Sequence, residues 1–367
     1  MKNKLISDTT QKWTDERVGT EQQSCYIRKT WMLSAKSILK LPKIMTCIRF
    51  FDERESQELY KLIKKRNVFA RHSWENNFYL QRIEDLANTT VIEIFRPGNP
   101  RDMNYEAQKI ADLIEKLAIL SSTLIMSRKM IQRKLAISSH RRSVFDITIG
   151  PKFWSLKSKS MPEQDVQGIT IDERFCSRFE SCGFPQLAFI CLTCNDIADH
   201  VMSAINWLFE SRQEPILSAS IVKTSIALES LLISNESEPL AKSLSERTAF
   251  ILSSDPDIRN KVSQIVKTFY DARSGVVHGS RKKLKKLTPG LVEGMDRLIV
   301  LLCLIIASNS NKWNSIESLI KWFEGQRWGA PASDIHIPFS NTYLLNAINL
   351  CNKEVAIDMN KSSNSST

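Results

Sequence analysis

The hydrophobic pattern changes character part-way along the chain. Up to about residue 190, short alternating runs dominate: "NNFYLQRI" (76–83), "TTVIEIFR" (89–96), "SVFDITIG" (143–150) and "GITID" (168–172) read as strands, the second closed by the turn signal "PGNP". One helical period interrupts them. In "MNYEAQKIADLIEKLAILSSTLI", Ala107, Ile110, Ala111, Leu113, Ile114, Leu117 and Leu120 recur at helical spacing. Residues 1–30 are polar without a sustained period, which predicts a mobile leader.

From Asp196 the period is helical throughout. "DIADHVMSAINWLFESRQ" carries Ile197, Val201, Ala204, Ile205 and Leu208 on one face, and "PILSASIVKTSIALESLLI" (215–233) begins with proline, a favoured first-turn residue. "PLAKSLSERTAFILSS" (239–254) follows, then "DPDIRNKVSQIVKTFYDARSGVVHG" with Val262, Ile265, Val266 and Phe269 at core spacing. Pro289 and Gly290 open an apolar helix to about Ser308, and "NSIESLIKWFEGQ" predicts the last one. The expected organisation is a leader (1–30), a mixed α and β domain (31–190), a helical bundle (196–325) and a C-terminal extension (326–367) ending in the polar tail "NKSSNSST". No internal repeat is visible.

Composition narrows the classes. A chain of 367 residues is long enough for two domains. Its longest apolar run, "LIVLLCLIIA" (298–307), is about half of what a bilayer requires, so it predicts a buried helix rather than a membrane span. The polar N-terminus lacks a signal core, and a cytoplasmic location is expected. Eight cysteines are too sparse for a disulfide framework. Cys176, Cys182, Cys191 and Cys194 include one C-x2-C, but the first pair is spaced unlike a zinc knuckle and the second lies in apolar sequence; we expect buried thiols, no metal site and no cofactor, a zinc site being the weaker reading. A net charge of +11 points to a polyanionic partner.

The charge has a focus. "YDARSGVVHGSRKKLKK" (270–286) ends an amphipathic helix with arginine, histidine and glycine, then places Arg281, Lys282, Lys283, Lys285 and Lys286 directly after them. Arg-x4-His alone is weak, since looser versions occur at 66–72 and 133–140. The helix stop and the basic block set 273 and 278 apart. An imidazole moves protons near neutral pH and a guanidinium holds phosphate, the two roles needed when the 2′-hydroxyl of RNA attacks its own phosphodiester. The basic block supplies a sequence-independent track for the backbone. Five helical residues turn through about 140°, so the pair needs the arginine's reach, a loosened helix near Gly275, or a second copy to meet. The plain alternative is a surface arginine, a helix-end histidine favoured by the dipole, and a solvated lysine loop.

Three blocks in order, "SIALESLLI" (225–233), "LAKSLSERTAFIL" (240–252) and "YDARSGVVHG" (270–279), resemble the signatures of the Apea-like HEPN domain over about residues 196–325. The resemblance implies an antiparallel helical bundle that pairs into a homodimer, with arginine and histidine of both copies facing a shared cleft. HEPN proteins include metal-independent ribonucleases acting as toxins, in antiviral defence and in RNA processing, and inactive members that bind RNA or protein. By this resemblance Arg273 and His278 match the active pair. Ser274 takes the place after the arginine, where the wider superfamily often has asparagine, aspartate or histidine. Tyr270, Glu229, Glu246 and Arg247 fall in the matching blocks as supporting residues. An inhibitor or antitoxin is a class-level expectation. The region 31–190 is expected to sense or bind a partner.

Overall fold

The computed structural model describes residues 23–30, 33–66, 86–97, 100–125, 137–149, 154–164, 169–234, 239–328 and 335–352. An α+β amino-terminal region is followed by a mostly α-helical bundle, and the chain divides into two compact units, Met1–Glu180 and Ser181–Thr367. The expected strand at 76–83, residues 1–22 of the leader and the polar tail lie outside the described residues, as does most of the arginine/histidine run at 66–72 and the arginine of the one at 133–140.

The first unit is built on a six-stranded sheet of β1 (Gln23–Thr30), β3 (Leu39–Leu41), β4 (Thr46–Phe51), β5 (Thr89–Pro97), β6 (Ile137–Ile149) and β7 (Trp154–Gln164), in the order β3-β4-β5-β1-β6-β7 with every neighbour antiparallel. β2 (Leu33–Ala35) and β8 (Ile169–Ile171) form a separate parallel pair. The expectation of a leader to residue 30 is thus corrected: Gln23–Thr30 is an internal strand, paired to β5 from Gln23↔Pro97 to Thr30↔Thr90. Its polar residues concealed it. Arg28 bonds Tyr26 and Asp112, and Thr30 bonds Glu115, so the charges that look solvent-bound are buried with partners on helix α2 (Pro100–Ile125). On the other face, Cys25, Ile27, Phe51, Val91 and Ile147 join Leu59 of helix α1 (Glu53–Arg66) in one core. Helix α1, with few apolar residues but a capping box between Asp52 and Glu55, was not anticipated.

Helices begin earlier than Asp196, with α3 (Glu173–Ser181) and α4 (Phe184–Ile190). The bundle continues with α5 (Asp196–Gln213), α6 (Leu217–Leu232), α7 (Leu240–Leu252), α8 (Pro256–His278), α9 (Arg281–Leu284), α10 (Pro289–Ser308), α11 (Ile316–Arg327) and α12 (Asn341–Cys351). Pro215 stands before α6 rather than in its first turn, Ile216 being the N-cap. The apolar run is the buried centre: α10 packs against α4, α5, α6, α7, α8 and α12. Helix α11 is not the last. Within the expected extension, α12 lies so close to α10 that a Cβ on Gly294 would sit 2.8 Å from the Ala347 carbonyl oxygen. Among the described residues no helix is long and apolar enough to cross a membrane.

Candidate functional site

The candidate residues lie on the last two turns of α8. Asp255 starts this helix by accepting the N–H groups of Asp257 and Ile258, with Pro256 in the first turn. Val262, Ile265, Val266 and Phe269 bury its inner face. Gly279 ends it in the left-handed region, φ 69°, where glycine carries no Cβ penalty, and Ser280 N–H closes onto the Gly275 carbonyl at 3.0 Å.

Because α8 remains α-helical through His278, no loosening at Gly275 brings Arg273 and His278 together; about 140° of helix separates them. Two ridges result. Arg273 continues the inner ridge of Val266 and Phe269, whereas His278 follows Asp271 and Ser274 on an outer ridge at spacings of three and four residues.

On the inner ridge Arg273 faces α6. The Tyr270 hydroxyl donates to Glu229 Oε1 at 3.0 Å, and the Arg273 guanidinium stands 4.0 Å from the same oxygen. Burial first, then the Glu229 carboxylate, pushes the Tyr270 phenol well above its ordinary value, keeping it a neutral donor. The Arg273 Nε has no hydrogen-bond partner among the described residues. The guanidinium is therefore half-buried and oriented by one loose ion pair, with Nε itself enclosed.

The end of α6 that carries Glu229 is fixed from two other helices. Arg247 on α7 donates to the Leu232 carbonyl at 2.6 Å, and His200 Nδ1 on α5 lies 2.5 Å from the Ser230 carbonyl oxygen. Cationic or donor groups at a helix C-terminus complement its dipole and its unpaired carbonyls. Glu246 pairs with Arg327 of α11 at 3.6 Å. Arg247 and Glu246 thus hold helices to one another.

No family model, curated protein or solved structure matches the chain. The chemistry rests on this geometry.

On the outer ridge the basic block is not an open loop. Its first four residues form α9, which turns back onto α8 at Gly275, where an added Cβ would lie 2.8 Å from both Leu284 N and Lys283 Cβ. Lys286 donates to Asp271 Oδ2 at 2.7 Å; Lys283 stands 3.7 Å from Asp271 Oδ1 and 3.3 Å from Ser274 Oγ. The hydrogen bond from Lys286 is the main cause of an Asp271 carboxyl held below its usual range. Arg281, Lys282 and Lys285 are exposed, as is His278. Sequence reasoning passed over Asp271, although its spacing to Ser274 and His278 is legible once the helix is taken as unbroken.

The cysteines weighed as ligands are dispersed in character: Cys182 and Cys191 are buried, Cys176 half-buried and Cys194 exposed. Burial pushes the Cys176 thiol up to about 11 and raises Cys191 as well. Among the described residues no group of three or more histidine, cysteine or carboxylate side chains is placed to hold a metal ion.

Proposed function

We propose that the helical unit is an Apea-like HEPN endoribonuclease that cleaves single-stranded RNA as a homodimer without a metal cofactor. The observation that carries this reading is the placement, within one stretch of α8, of a partly exposed guanidinium held by a single long ion pair and an exposed imidazole, with a basic segment folded directly beside them. In the reaction the 2′-hydroxyl loses its proton and its oxygen attacks the adjacent phosphorus. The P–O5′ bond breaks, and the 5′-oxygen leaves as a hydroxyl after receiving a proton. The products are a 2′,3′-cyclic phosphate and a 5′-hydroxyl. His278 serves as the acid or base, Arg273 stabilises charge on the phosphoryl oxygens, and Ser274 assists by hydrogen bonding.

The separation of Arg273 and His278 around α8 favours a cleft shared by two copies, in which one imidazole takes the proton and the second returns it. The exposed Arg281, Lys282 and Lys285 hold the RNA backbone without regard to sequence. A toxin or antiviral role in the cytoplasm, restrained by an inhibitor or antitoxin, suits such an activity. The exposed basic residues also suit a second reading, a non-catalytic module that binds RNA or a protein.

Incubation of the wild type and His278→Ala with total RNA in chelator, followed by end-group analysis, separates the two. The expected result is cleavage by the wild type with cyclic phosphate ends, reduced about 10²-fold or more in the variant. Equal cleavage by both proteins would falsify the role of His278, and salt-sensitive binding without any product would establish the module.

A further inference from the structure

We infer that the outer ridge of α8 forms a phosphate-binding subsite of its own, in which Lys283, Ser274 and His278 take the non-bridging oxygens of one phosphate group and Arg273 takes no part. The inference rests on the proposed function only for the source of that phosphate, an RNA backbone.

Three observations lead to it. First, the helix is continuous, so His278 stands four residues beyond Ser274 on one ridge, and the cation fixed beside that ridge is Lys283, 3.3 Å from Ser274 Oγ. Second, the position of Lys283 is built in. Its Cβ and the Leu284 amide rest against Gly275, Leu284 N–H bonds the Ser280 carbonyl at 3.0 Å, and Lys286 N–H bonds the Lys283 carbonyl at 3.0 Å. Third, the nearby carboxylate is already neutralised. Lys286 holds Asp271 at 2.7 Å, while Lys283 is a full ångström further from it, at 3.7 Å. Two ammonium groups against one carboxylate leave one net positive charge on the Ser274 side. An ammonium, a hydroxyl donor and an exposed imidazole together satisfy a phosphate monoanion, and its arrival requires only the long Lys283–Asp271 contact to open.

The test is a titration followed through the His278 ring signals by NMR on the full chain, with inorganic phosphate and with thymidylyl-(3′,5′)-thymidine, a dinucleotide that lacks the attacking hydroxyl. Both ligands should shift the His278 signals saturably. The dinucleotide binds more tightly if the site is made for a nucleic-acid backbone, and inorganic phosphate binds as well or better if it is made for the free anion. Lys283→Met should weaken either ligand about tenfold. Gly275→Ala, which keeps every charge but pushes α9 off α8, should also weaken both. Lys261→Met, about 20 Å back along α8, should leave them unchanged. A wild type without saturable shifts, or a Lys283→Met titration equal to that of Lys261→Met, overturns the subsite. RNA cleavage read separately keeps the two proposals apart: cleavage with no phosphate effect of Lys283 defeats only the subsite, and phosphate binding without cleavage defeats only the nuclease.

Discussion

Arg49 in the amino-terminal unit and Arg273 in the helical unit are both guanidiniums set against glutamates, and they end in opposite states. Arg49 gives Nε and NH2 to the two oxygens of the buried Glu93, at 2.6 and 3.0 Å, and NH1 to both oxygens of Glu55, at 2.7 and 2.6 Å. Burial alone would lower its pKa, but the attraction of Glu93 and then of Glu55 outweighs that and holds the proton more firmly than usual. Arg273 has one glutamate at 4.0 Å and an unused Nε. The first cluster is closed, since a ligand could enter only by breaking strong bonds between desolvated charges. The second is partly exposed and held by one long contact, so its charge is not locked away by its neighbours.

Removing each arginine gives the largest difference. Arg49→Met leaves two buried carboxylates without their cation and should destabilise the first unit by about 3–5 kcal/mol, whereas Arg273→Met should cost less than about 1 kcal/mol because its ion pair is long and partly solvated. Urea titration read by hydrogen exchange of the β1 and β4 amides for Arg49, and of the α8 amides for Arg273, measures both. Equal losses would mean that Arg273 is structural after all, and the contrast would collapse.

The same contrast explains what the sequence made legible. The helices of the second unit follow from apolar spacing because their inner faces bury against α10, and the stop at Gly279 is written in glycine and the basic residues after it. Strand β1 was hidden because Arg28, Lys29 and Thr30 look like surface residues, and only a long-range bond such as Thr30 to Glu115 makes them interior. At the site, the identities of Arg273, Ser274 and His278 were visible but their grouping was not. Which ridge each occupies depends on α8 staying regular past Gly275, and the return of α9 depends on a backbone contact that leaves no periodic trace.

Tyr270 gives a smaller effect that sharpens the comparison. Its hydroxyl bonds a carboxylate, so Tyr270→Phe should cost about 1–2 kcal/mol near neutral pH. The sign of the pH effect follows from the raised folded value. The contribution is fully present below the ordinary 10.0, because the phenol is neutral in both folded and unfolded chains. It is lost as the pH climbs past 10.0 toward the higher folded value, since the unfolded chain ionises first. The wild type should therefore lose stability more steeply in alkali than Tyr270→Phe. Identical slopes in the two proteins would mean that Glu229 does not rely on this hydroxyl.

Asp271 supplies the smallest and most local test. Its folded pKa is depressed, with the Lys286 hydrogen bond the leading cause, so the anchor it gives to α9 is complete above the ordinary carboxylate value and disappears as the pH falls through the lower folded one. The side chains are more than two-fifths exposed, so solvent screening leaves about 0.2–1 kcal/mol at most. Amide exchange at Lys286 and Leu287, whose N–H groups bond the carbonyls of Lys283 and Leu284, should then rise in acid relative to the α10 amides, and Asp271→Asn should produce the same rise at neutral pH. If instead exchange there ignores both acid and Asp271→Asn, the contact of α9 with Gly275 holds the turn unaided. Lys283 would then be placed by backbone packing, and Asp271 would matter only for the charge it cancels.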